Sequence, residues 1–235
     1  MTYLFDPRPP VALPIANSSH LYPVRRIYCV GRNYADHARE MGHDPDREEP
    51  FFFAKNAENL VVDGRFPYPS ATHDVHHEVE LVVALQEGGT NIPTKQALET
   101  VFGYAVGIDM TRRDLQGLAK KAGRPWEAGK AFEHSAPIGP IHPVSELGHV
   151  VDKDIWLSVD GEMRQSAKTN QLIWSVAEVI SKLSELFELA PGDLIFTGTP
   201  AGVGPVMTGQ TMMAGIEGLG EITVDVVERA QSKQT

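Results

Sequence analysis

Residues 77–85 (HEVELVVAL) predict a β-strand that carries two glutamates within an apolar run. Because successive side chains of a strand point to opposite faces, Glu78 and Glu80 would share one face, about 7 Å apart. Two carboxylates in apolar surroundings repel each other and lose hydration, so they require positive charge nearby. Two interpretations stay open at this point. Either the face is solvated and each glutamate meets a lysine or arginine, or a hard cation bridges both.

A third carboxylate, Asp109, ends a second predicted strand that begins at Val101. One face of this strand lacks large side chains, which lets another backbone or a ligand approach closely. That face consists of Gly103, Ala105, Gly107 and Asp109. Asp109 therefore favours a cation bound together with Glu78 and Glu80. Three oxygen ligands without cysteine are typical of Mg²⁺, with Mn²⁺ or Ca²⁺ as alternatives, and not of structural zinc. His76 is a less favoured ligand.

A short helix is predicted after Gly31, with Asn33 as its N-cap and Asp36 in its first turn. Its spacing gives one inward face, made of Tyr34, His37, Ala38 and Met41. Glu40 is a neighbour of His37 on the helix surface. On this pattern alone, a histidine on an inward face is more often a hydrogen-bonded core residue than a catalytic group.

The chain as a whole predicts many short strands and three helices. Strands are expected at 26–30, 51–54, 77–85, 101–109, 155–159, 194–197 and 222–226. The pair Asp160-Gly161 predicts a hairpin turn. One helix would begin at a capping box of Thr111 and Asp114, and the longest would cover residues 172–187. Because helices and strands do not alternate regularly, we expect an α+β fold with a mixed sheet, curled or barrel-like.

The composition restricts the possible partners and the location. A proline-rich N-terminal arm of residues 1–24 is expected to precede a single catalytic domain over residues 25–235. The net charge of −10 argues against nucleic acid as a partner. Cys29 is the only cysteine, so no internal disulfide can form, and its apolar neighbours predict a buried side chain. Neither a secretory leader nor a membrane-length apolar run is present, so we expect a cytoplasmic protein without a membrane partner.

Five short motifs follow one another along the chain. They are Gly31-Arg32-Asn33-Tyr34-Ala35-Asp36-His37, His77-Glu78-Val79-Glu80-Leu81, Asp109-Met110-Thr111 with Arg113-Asp114, Lys130-Ala131-Phe132, and Thr197-Gly198-Thr199-Pro200 with Gly202-Val203-Gly204. Each motif alone is weak. In this order and at this spacing, from about Arg25 to Val227, they resemble the fumarylacetoacetate hydrolase family.

The resemblance implies a mixed β-roll around a divalent metal, usually assembled as a homodimer. It also implies a role for particular side chains, with a catalytic His–Glu pair on a short helix that acts as a lid. The corresponding metal ligands are Glu78, Glu80 and Asp109; the catalytic residues are His37, Glu40 and Lys130; the substrate contacts are Arg113, Gln116 and Thr199. Lys55 is a further candidate, for contact with the distal carboxylate of the substrate.

The chain resembles the shorter branch of the family, which lacks a separate N-terminal domain and acts on acylpyruvates. Segments 43–48, 51–55 and 123–127 are most similar to members that act on fumarylpyruvate in gentisate breakdown. The resemblance thus implies metal-dependent C–C bond hydrolysis of a 2,4-dioxo acid, with 3-fumarylpyruvate and water giving fumarate and pyruvate. Phe53 and Trp126 are expected to pack rather than to recognise the substrate.

In the expected mechanism, His37 takes a proton from water, and Glu40 orients the imidazole. Lys130 stabilises negative charge, while Arg113 and Gln116 hold the pyruvyl carboxylate. Two alternatives stay open. The first is a 2-oxo acid lyase, such as an oxaloacetate decarboxylase or an isomerase–decarboxylase, and the second is a metal-binding scaffold without catalysis.

Overall fold

The structure, a computed structural model, describes residues 2–40 and 48–229. The predictions for Met41, for the side chain of Ala38 and for residues 43–47 lie outside the described residues. The strands in these ranges are β1 (Ala12–Pro14), β2 (Leu21–Pro23), β3 (Arg26–Gly31), β4 (Phe51–Lys55), β5 (Leu60–Val61), β6 (Arg65–Pro67), β7 (Val75–His77), β8 (Val79–Leu85), β9 (Val101–Ile108), β10 (Thr111–Arg112), β11 (Ala136–Pro137), β12 (His142–Pro143), β13 (Asp154–Val159), β14 (Glu162–Lys168), β15 (Asp193–Phe196), β16 (Gly204–Pro205), β17 (Thr211–Ile216) and β18 (Gly220–Val227). The helices are α1 (Ala35–Glu40), α2 (Thr94–Ala97), α3 (Arg113–Lys121), α4 (Glu127–Lys130), α5 (Val144–Leu147) and α6 (Val176–Leu186).

Two sheets form the body of the fold. A six-stranded sheet has the order β12-β9-β8-β15-β3-β4, and a five-stranded sheet has the order β14-β13-β17-β18-β6. Neighbouring strands are antiparallel except β15 with β3 and β18 with β6. The main core includes Leu81 and Val83 of the first sheet and Leu157 and Val224 of the second, so the two sheets share one apolar interior.

The opposite face of the six-stranded sheet is covered by a second apolar cluster. It includes Val82 and Phe196 of the sheet together with Leu13 and Tyr22 of the β1–β2 hairpin. The hydroxyl of Tyr22 donates to the carbonyl of Leu85 at 2.6 Å. Part of the predicted N-terminal arm therefore packs on the sheet, while its boundary at residue 24 stays a prediction.

The predicted α+β class with mixed sheets and few short helices is confirmed, without a closed barrel in the described part of the chain. The Asp160-Gly161 hairpin and the burial of Cys29 are also confirmed. No helix among the described residues is long and apolar enough to cross a membrane.

Three predictions about single elements are wrong. The strand predicted at 77–85 is divided, because Glu78 stands between β7 of a three-stranded sheet and β8. The longest helix begins at Val176 and not at residue 172, since the Ser175 hydroxyl caps it by accepting from the Glu178 N–H. The capping box at α3 is absent, because the helix begins at Arg113 with Arg112 as its N-cap, and Asp114 accepts from the Thr72 hydroxyl at 2.7 Å.

Candidate active site

An open cavity lies where the end of β3 and the start of β4 meet helices α1, α3 and α4. Most of the residues singled out in the sequence line it. These are His37, Glu78, Glu80, Arg113, Gln116, Lys130 and Thr199. The fold thus brings together side chains that are up to 162 residues apart in the sequence, the separation of His37 from Thr199 (199 − 37).

The three predicted metal carboxylates form a compact buried cluster. One oxygen each of Glu78, Glu80 and Asp109 lies within 4.8 Å of the others. The three residues are 5%, 2% and 0% exposed, so water cannot screen their mutual repulsion. The close approach follows from the strands, because Glu80 of β8 is paired with Gly107 of β9, and Asp109 ends that bare strand face.

Cationic side chains neutralise part of this cluster. Lys130 Nζ donates to Glu78 Oε2 at 2.8 Å, to Asp109 Oδ2 at 2.6 Å and to the Thr111 hydroxyl at 2.6 Å. The guanidinium of Arg113 pairs with the other Glu78 oxygen. Burial alone would raise the pKa of Glu78, but the charges of Lys130 and Arg113 outweigh it and hold that pKa well below its usual range. Glu78 is therefore a carboxylate in the folded protein.

Glu80 has no such partner. Among the described residues its hydrogen bond comes from the backbone N–H of Gly198, at 2.8 Å, and no cationic side chain pairs with it. Burial, and then the charges of Asp109 and Glu78, raise the pKa of Glu80 well above its usual value. A divalent cation held by all three carboxylates would supply the missing charge, and the all-oxygen donor set fits Mg²⁺, Mn²⁺ or Ca²⁺. The buried cluster therefore fits the metal interpretation, although Lys and Arg also contact Glu78.

His37 faces the cavity from α1 and is paired with Glu40. His37 Nδ1 lies 3.2 Å from Glu40 Oε2. Both oxygens of Glu40 accept from the backbone N–H of Gly202, at 3.2 Å each. Gly202 has a φ of +94°, and a Cβ atom there would lie 2.0 Å from the carbonyl oxygen of Arg164, so the loop needs glycine at this point. Burial lowers the pKa of His37 below its usual value, although the nearby carboxylates of Glu78 and Glu40 oppose this shift, so burial favours the neutral imidazole.

Two hydrogen-bonded pairs supply donors at the cavity wall. Arg113 donates to Gln116 Oε1 at 2.7 Å, and its Nε is buried without a partner in the described ranges. The Thr199 hydroxyl accepts from Gln165 Nε2 at 2.7 Å, which leaves its own proton available. These groups can donate to the oxygens of an anionic ligand.

Comparison with known proteins identifies the family. The model of the fumarylacetoacetate (FAA) hydrolase C-terminal family matches residues 26–227. The chain belongs to the fumarylacetoacetate hydrolase family. Among solved structures it is similar to fumarylpyruvate hydrolase from Pseudomonas aeruginosa in complex with Mn²⁺ and pyruvate. The two chains are 56% identical, with a TM-score of 0.94, over 97% of this chain and 100% of that one.

Curated relatives within the family carry different activities in their names. A fumarylpyruvate hydrolase from a Ralstonia species is 43% identical over 190 residues, covering 79% of this chain and 98% of that protein. A mitochondrial oxaloacetate decarboxylase from Dictyostelium discoideum is 40% identical over 211 residues, covering 88% of this chain and 96% of that protein. Membership of the family is therefore compatible with more than one reaction of 2-oxo acids.

Two further candidate residues from the sequence, Lys55 and His76, do not line the cavity. Lys55 is 3% exposed and does not line the cavity. Its Nζ lies 2.8 Å from Asp109 Oδ1, without hydrogen-bond geometry, and donates to Ser135 at 2.9 Å. Lys55 is thus an ion-pair partner of Asp109, and its contact with the substrate stays a prediction. His76 Nε2 lies 2.9 Å from Asp74 Oδ1, and His76 is not part of the carboxylate cluster.

The sequence did not reveal the role of Gln165. This fully buried side chain lies on β14, and its Oε1 accepts from the Val79 N–H at 3.0 Å and lies 3.1 Å from His77 Nδ1. Its Nε2 donates to Thr199 and to the Pro200 carbonyl. Gln165 therefore joins the strand of the metal carboxylates to the loop of Thr199.

One further group, comprising Arg32, Phe51, Phe53, Lys120 and Trp126, lines the cavity beyond the expected site residues.

Proposed function

We propose that the protein hydrolyses the C–C bond of an acylpyruvate, with 3-fumarylpyruvate as the preferred substrate and a divalent cation as cofactor. The observation that carries the proposal is the His37–Glu40 pair, which opens onto the same cavity as the buried carboxylate cluster. A hydrolase needs an activated water next to the substrate. A neutral histidine beside an acidic metal cluster can supply it.

The proposed role of His37 is that of the general base. Glu40 accepts a hydrogen bond from Nδ1, so Nε2 is left as the proton acceptor on the other side of the ring. His37 takes a proton from water, and the hydroxide adds to the 4-oxo carbon. The bond between carbons 3 and 4 then breaks, its electron pair goes to the pyruvate enolate, and protonation of that enolate gives pyruvate. Fumarate keeps the oxygen of the water.

The cation would be held by Glu78, Glu80 and Asp109 and would supply Lewis acidity to the 2-oxo acid end of the substrate. Lys130 contributes a fixed positive charge. Although burial lowers its pKa, Asp109 and Glu78 more than compensate and raise the pKa above the usual lysine value. A buried ammonium that stays charged stabilises the negative charge that develops on the substrate. Its hydrogen bonds to Glu78, Asp109 and Thr111 hold it in position before the reaction.

Arg113, Gln116 and Thr199 are proposed to orient the substrate. The buried Nε of Arg113 is a donor without a partner among the described residues, and the Thr199 hydroxyl has a proton to give. Both suit the carboxylate and carbonyl oxygens of a pyruvyl group. Because Arg113 is also paired with Glu78, substrate and cluster would be linked through one side chain.

Decarboxylation of a 2-oxo acid such as oxaloacetate is the alternative, and the Dictyostelium relative carries that name. It needs the cation and enolate stabilisation but no activated water. The His37–Glu40 pair therefore favours hydrolysis. A scaffold without catalysis would leave the His37–Glu40 pair without a function.

The test is a substrate panel of fumarylpyruvate, maleylpyruvate, acetylpyruvate and oxaloacetate, each with Mg²⁺ and with Mn²⁺. Loss of the absorbance of the conjugated dioxo acid reports hydrolysis, and CO₂ release reports decarboxylation. We expect the highest kcat/KM for fumarylpyruvate. A preference for oxaloacetate would favour the lyase, and no turnover of any compound would support the scaffold.

The assembly is proposed to be a homodimer and the location cytoplasmic. Light scattering during gel filtration tests the first point, with a particle of twice the 25.8 kDa chain mass as the expected result.

A further inference from the structure

One wall of the active-site cavity is aromatic and carries a cation at each end. Phe51 and Trp126 pack edge to face, with ring centroids 5.1 Å apart. The guanidinium of Arg32 lies 5.4 Å from the Phe51 ring centre, and Lys120 Nζ lies 5.7 Å from that of Trp126. Arg32, Phe51, Lys120 and Trp126 all line the cavity, so a ligand bound there would face two aromatic rings and two positive charges.

The two cations differ from the others at the cavity. Arg113 and Lys130 are paired with carboxylates of the acidic cluster. Arg32 and Lys120 have no carboxylate within ion-pair distance in residues 2–40 and 48–229. Burial, and then the like charges of Arg32 and Arg113, lower the pKa of Lys120. The protein has a net charge of −10, yet Arg32 and Lys120 repel each other at one cavity. This pair of cations indicates an anion-binding site.

The turn before α1 holds Arg32 in this position. Arg32 has a φ of +57°, a backbone conformation that side-chain-bearing residues adopt at a cost. A Cβ atom on the preceding Gly31 would lie 2.0 Å from Cζ of Phe51, so only glycine lets the ring lie against the turn. The turn therefore brings the Arg32 guanidinium and the Phe51 ring into contact, 5.4 Å apart.

We propose that Arg32 and Lys120 bind a second carboxylate, at the end of the acyl chain farthest from the acidic cluster. The substrates are then 2,4-dioxo acids whose acyl group itself ends in a carboxylate, and Phe51 and Trp126 flank the chain between the two ends. This inference rests on the proposed function. It gives the distal contact to Arg32 and Lys120, which line the cavity, whereas Lys55 is ion-paired with Asp109 and does not line it.

The kinetic test compares fumarylpyruvate, which carries a distal carboxylate, with acetylpyruvate, which does not. The variants are Arg32→Met and Lys120→Met, with Lys121→Met as the matched control, because Lys121 is exposed on the same helix and does not line the cavity. Loss of a charge-assisted hydrogen bond should raise KM for fumarylpyruvate by about 10- to 100-fold, with a smaller effect on kcat. KM for acetylpyruvate should change far less, and Lys121→Met should behave like the wild type.

A binding measurement decides the question even without turnover. Fumarate and crotonate have the same unsaturated chain, but crotonate carries a methyl group in place of one carboxylate. Calorimetry with Mg²⁺ should find fumarate at least about 10-fold tighter in the wild type, and Lys120→Met should remove most of this difference. Equal binding of both acids, or equal KM changes for both substrates, would overturn the proposal. If the wild type hydrolyses neither dioxo acid, the proposed function fails. The difference in affinity between fumarate and crotonate then still tests whether Arg32 and Lys120 bind a carboxylate.

Discussion

Glu78 and Glu80 are two residues apart, yet Glu78 is paired with Lys130 and Arg113, while Glu80 has no cationic partner in the described ranges. The two carboxylates therefore differ in what they need. Glu78 is neutralised by the protein itself. Burial beside Asp109 and Glu78 raises the pKa of Glu80 and makes its charged form costly, so a bound cation would stabilise that form.

The first prediction follows from this difference. Glu80→Gln should weaken Mg²⁺ or Mn²⁺ binding by at least about 100-fold. Loss of a residue that only supports a metal ligand by a hydrogen bond weakens metal binding by up to about 100-fold, and loss of a ligand itself should cost at least as much. Without metal, the same variant should be at least as stable as the wild type, because Glu80 has no cationic partner to lose in the described ranges. Glu78→Gln should instead lower the free energy of unfolding by about 1–3 kcal/mol, because Lys130 and Arg113 lose a charged partner. Calorimetry and urea denaturation in chelator measure both effects, and unchanged metal affinity in Glu80→Gln would refute the assignment.

The second prediction separates hydrolysis from decarboxylation. His37→Ala should lower kcat for acylpyruvate hydrolysis by about 10²- to 10⁴-fold, the usual contribution of a general base. Oxaloacetate decarboxylation, if the wild type has this activity, should persist at an appreciable rate because it needs no activated water. Parallel assays of the two reactions on one preparation provide the comparison. An equal loss of both would show that His37 does not activate water.

The third prediction concerns pH. A base acts when it is deprotonated, and burial lowers the pKa of His37 below the ordinary value of 6.5. The acid limb of kcat/KM should therefore lie below pH 6.5, and activity should extend to lower pH than a free imidazole would allow. Glu40 opposes this shift, so Glu40→Gln should move the limb to still lower pH while it reduces kcat. A limb above pH 6.5, or one that moves upward in Glu40→Gln, would contradict the assignment. Glu162→Gln, at an exposed position, serves as the control.

The sequence predicted those parts of the site that depend on local periodicity. The alternation of a strand was enough to bring Glu78 and Glu80 together, and the bare face of β9 indicated why Asp109 can approach them. It did not predict the interruption at Glu78, because β7 pairs with β10 and β16, which are distant in sequence. Strand β17 was also missed, because its Met212 to Gly215 segment does not alternate between polar and apolar residues.

Hydrogen bonds and ion pairs between residues that are distant in the sequence could not be predicted from local patterns. Gln165 lies on a strand whose neighbours are exposed, and a shift of register between β13 and β14 occurs beside it. A lone glutamine in a polar strand carries no signal of burial. The contacts of the Lys55 ammonium with Asp109, Ser135 and the Met110 carbonyl were not predicted either, because these partners are distant in the sequence.

The fourth prediction tests the structural role of Gln165. Gln165→Met keeps the side-chain length but leaves the buried Val79 N–H and the Pro200 carbonyl without partners. The free energy of unfolding should fall by about 1–3 kcal/mol, and kcat should fall because Thr199 loses its support. Ser166→Ala, at the exposed neighbouring position, is the control. Urea denaturation measures the change, and a loss below about 0.5 kcal/mol would mean that Gln165 does not hold the loop.

The most direct test of the account is the hydrolysis of fumarylpyruvate in H₂¹⁸O with Mg²⁺ or Mn²⁺ present, followed by mass spectrometry of the products. Attack of water on the 4-oxo carbon predicts fumarate and pyruvate in equal amounts, with ¹⁸O in the new carboxylate of fumarate and no release of CO₂. Unchanged substrate, or CO₂ without fumarate, would contradict the proposed reaction.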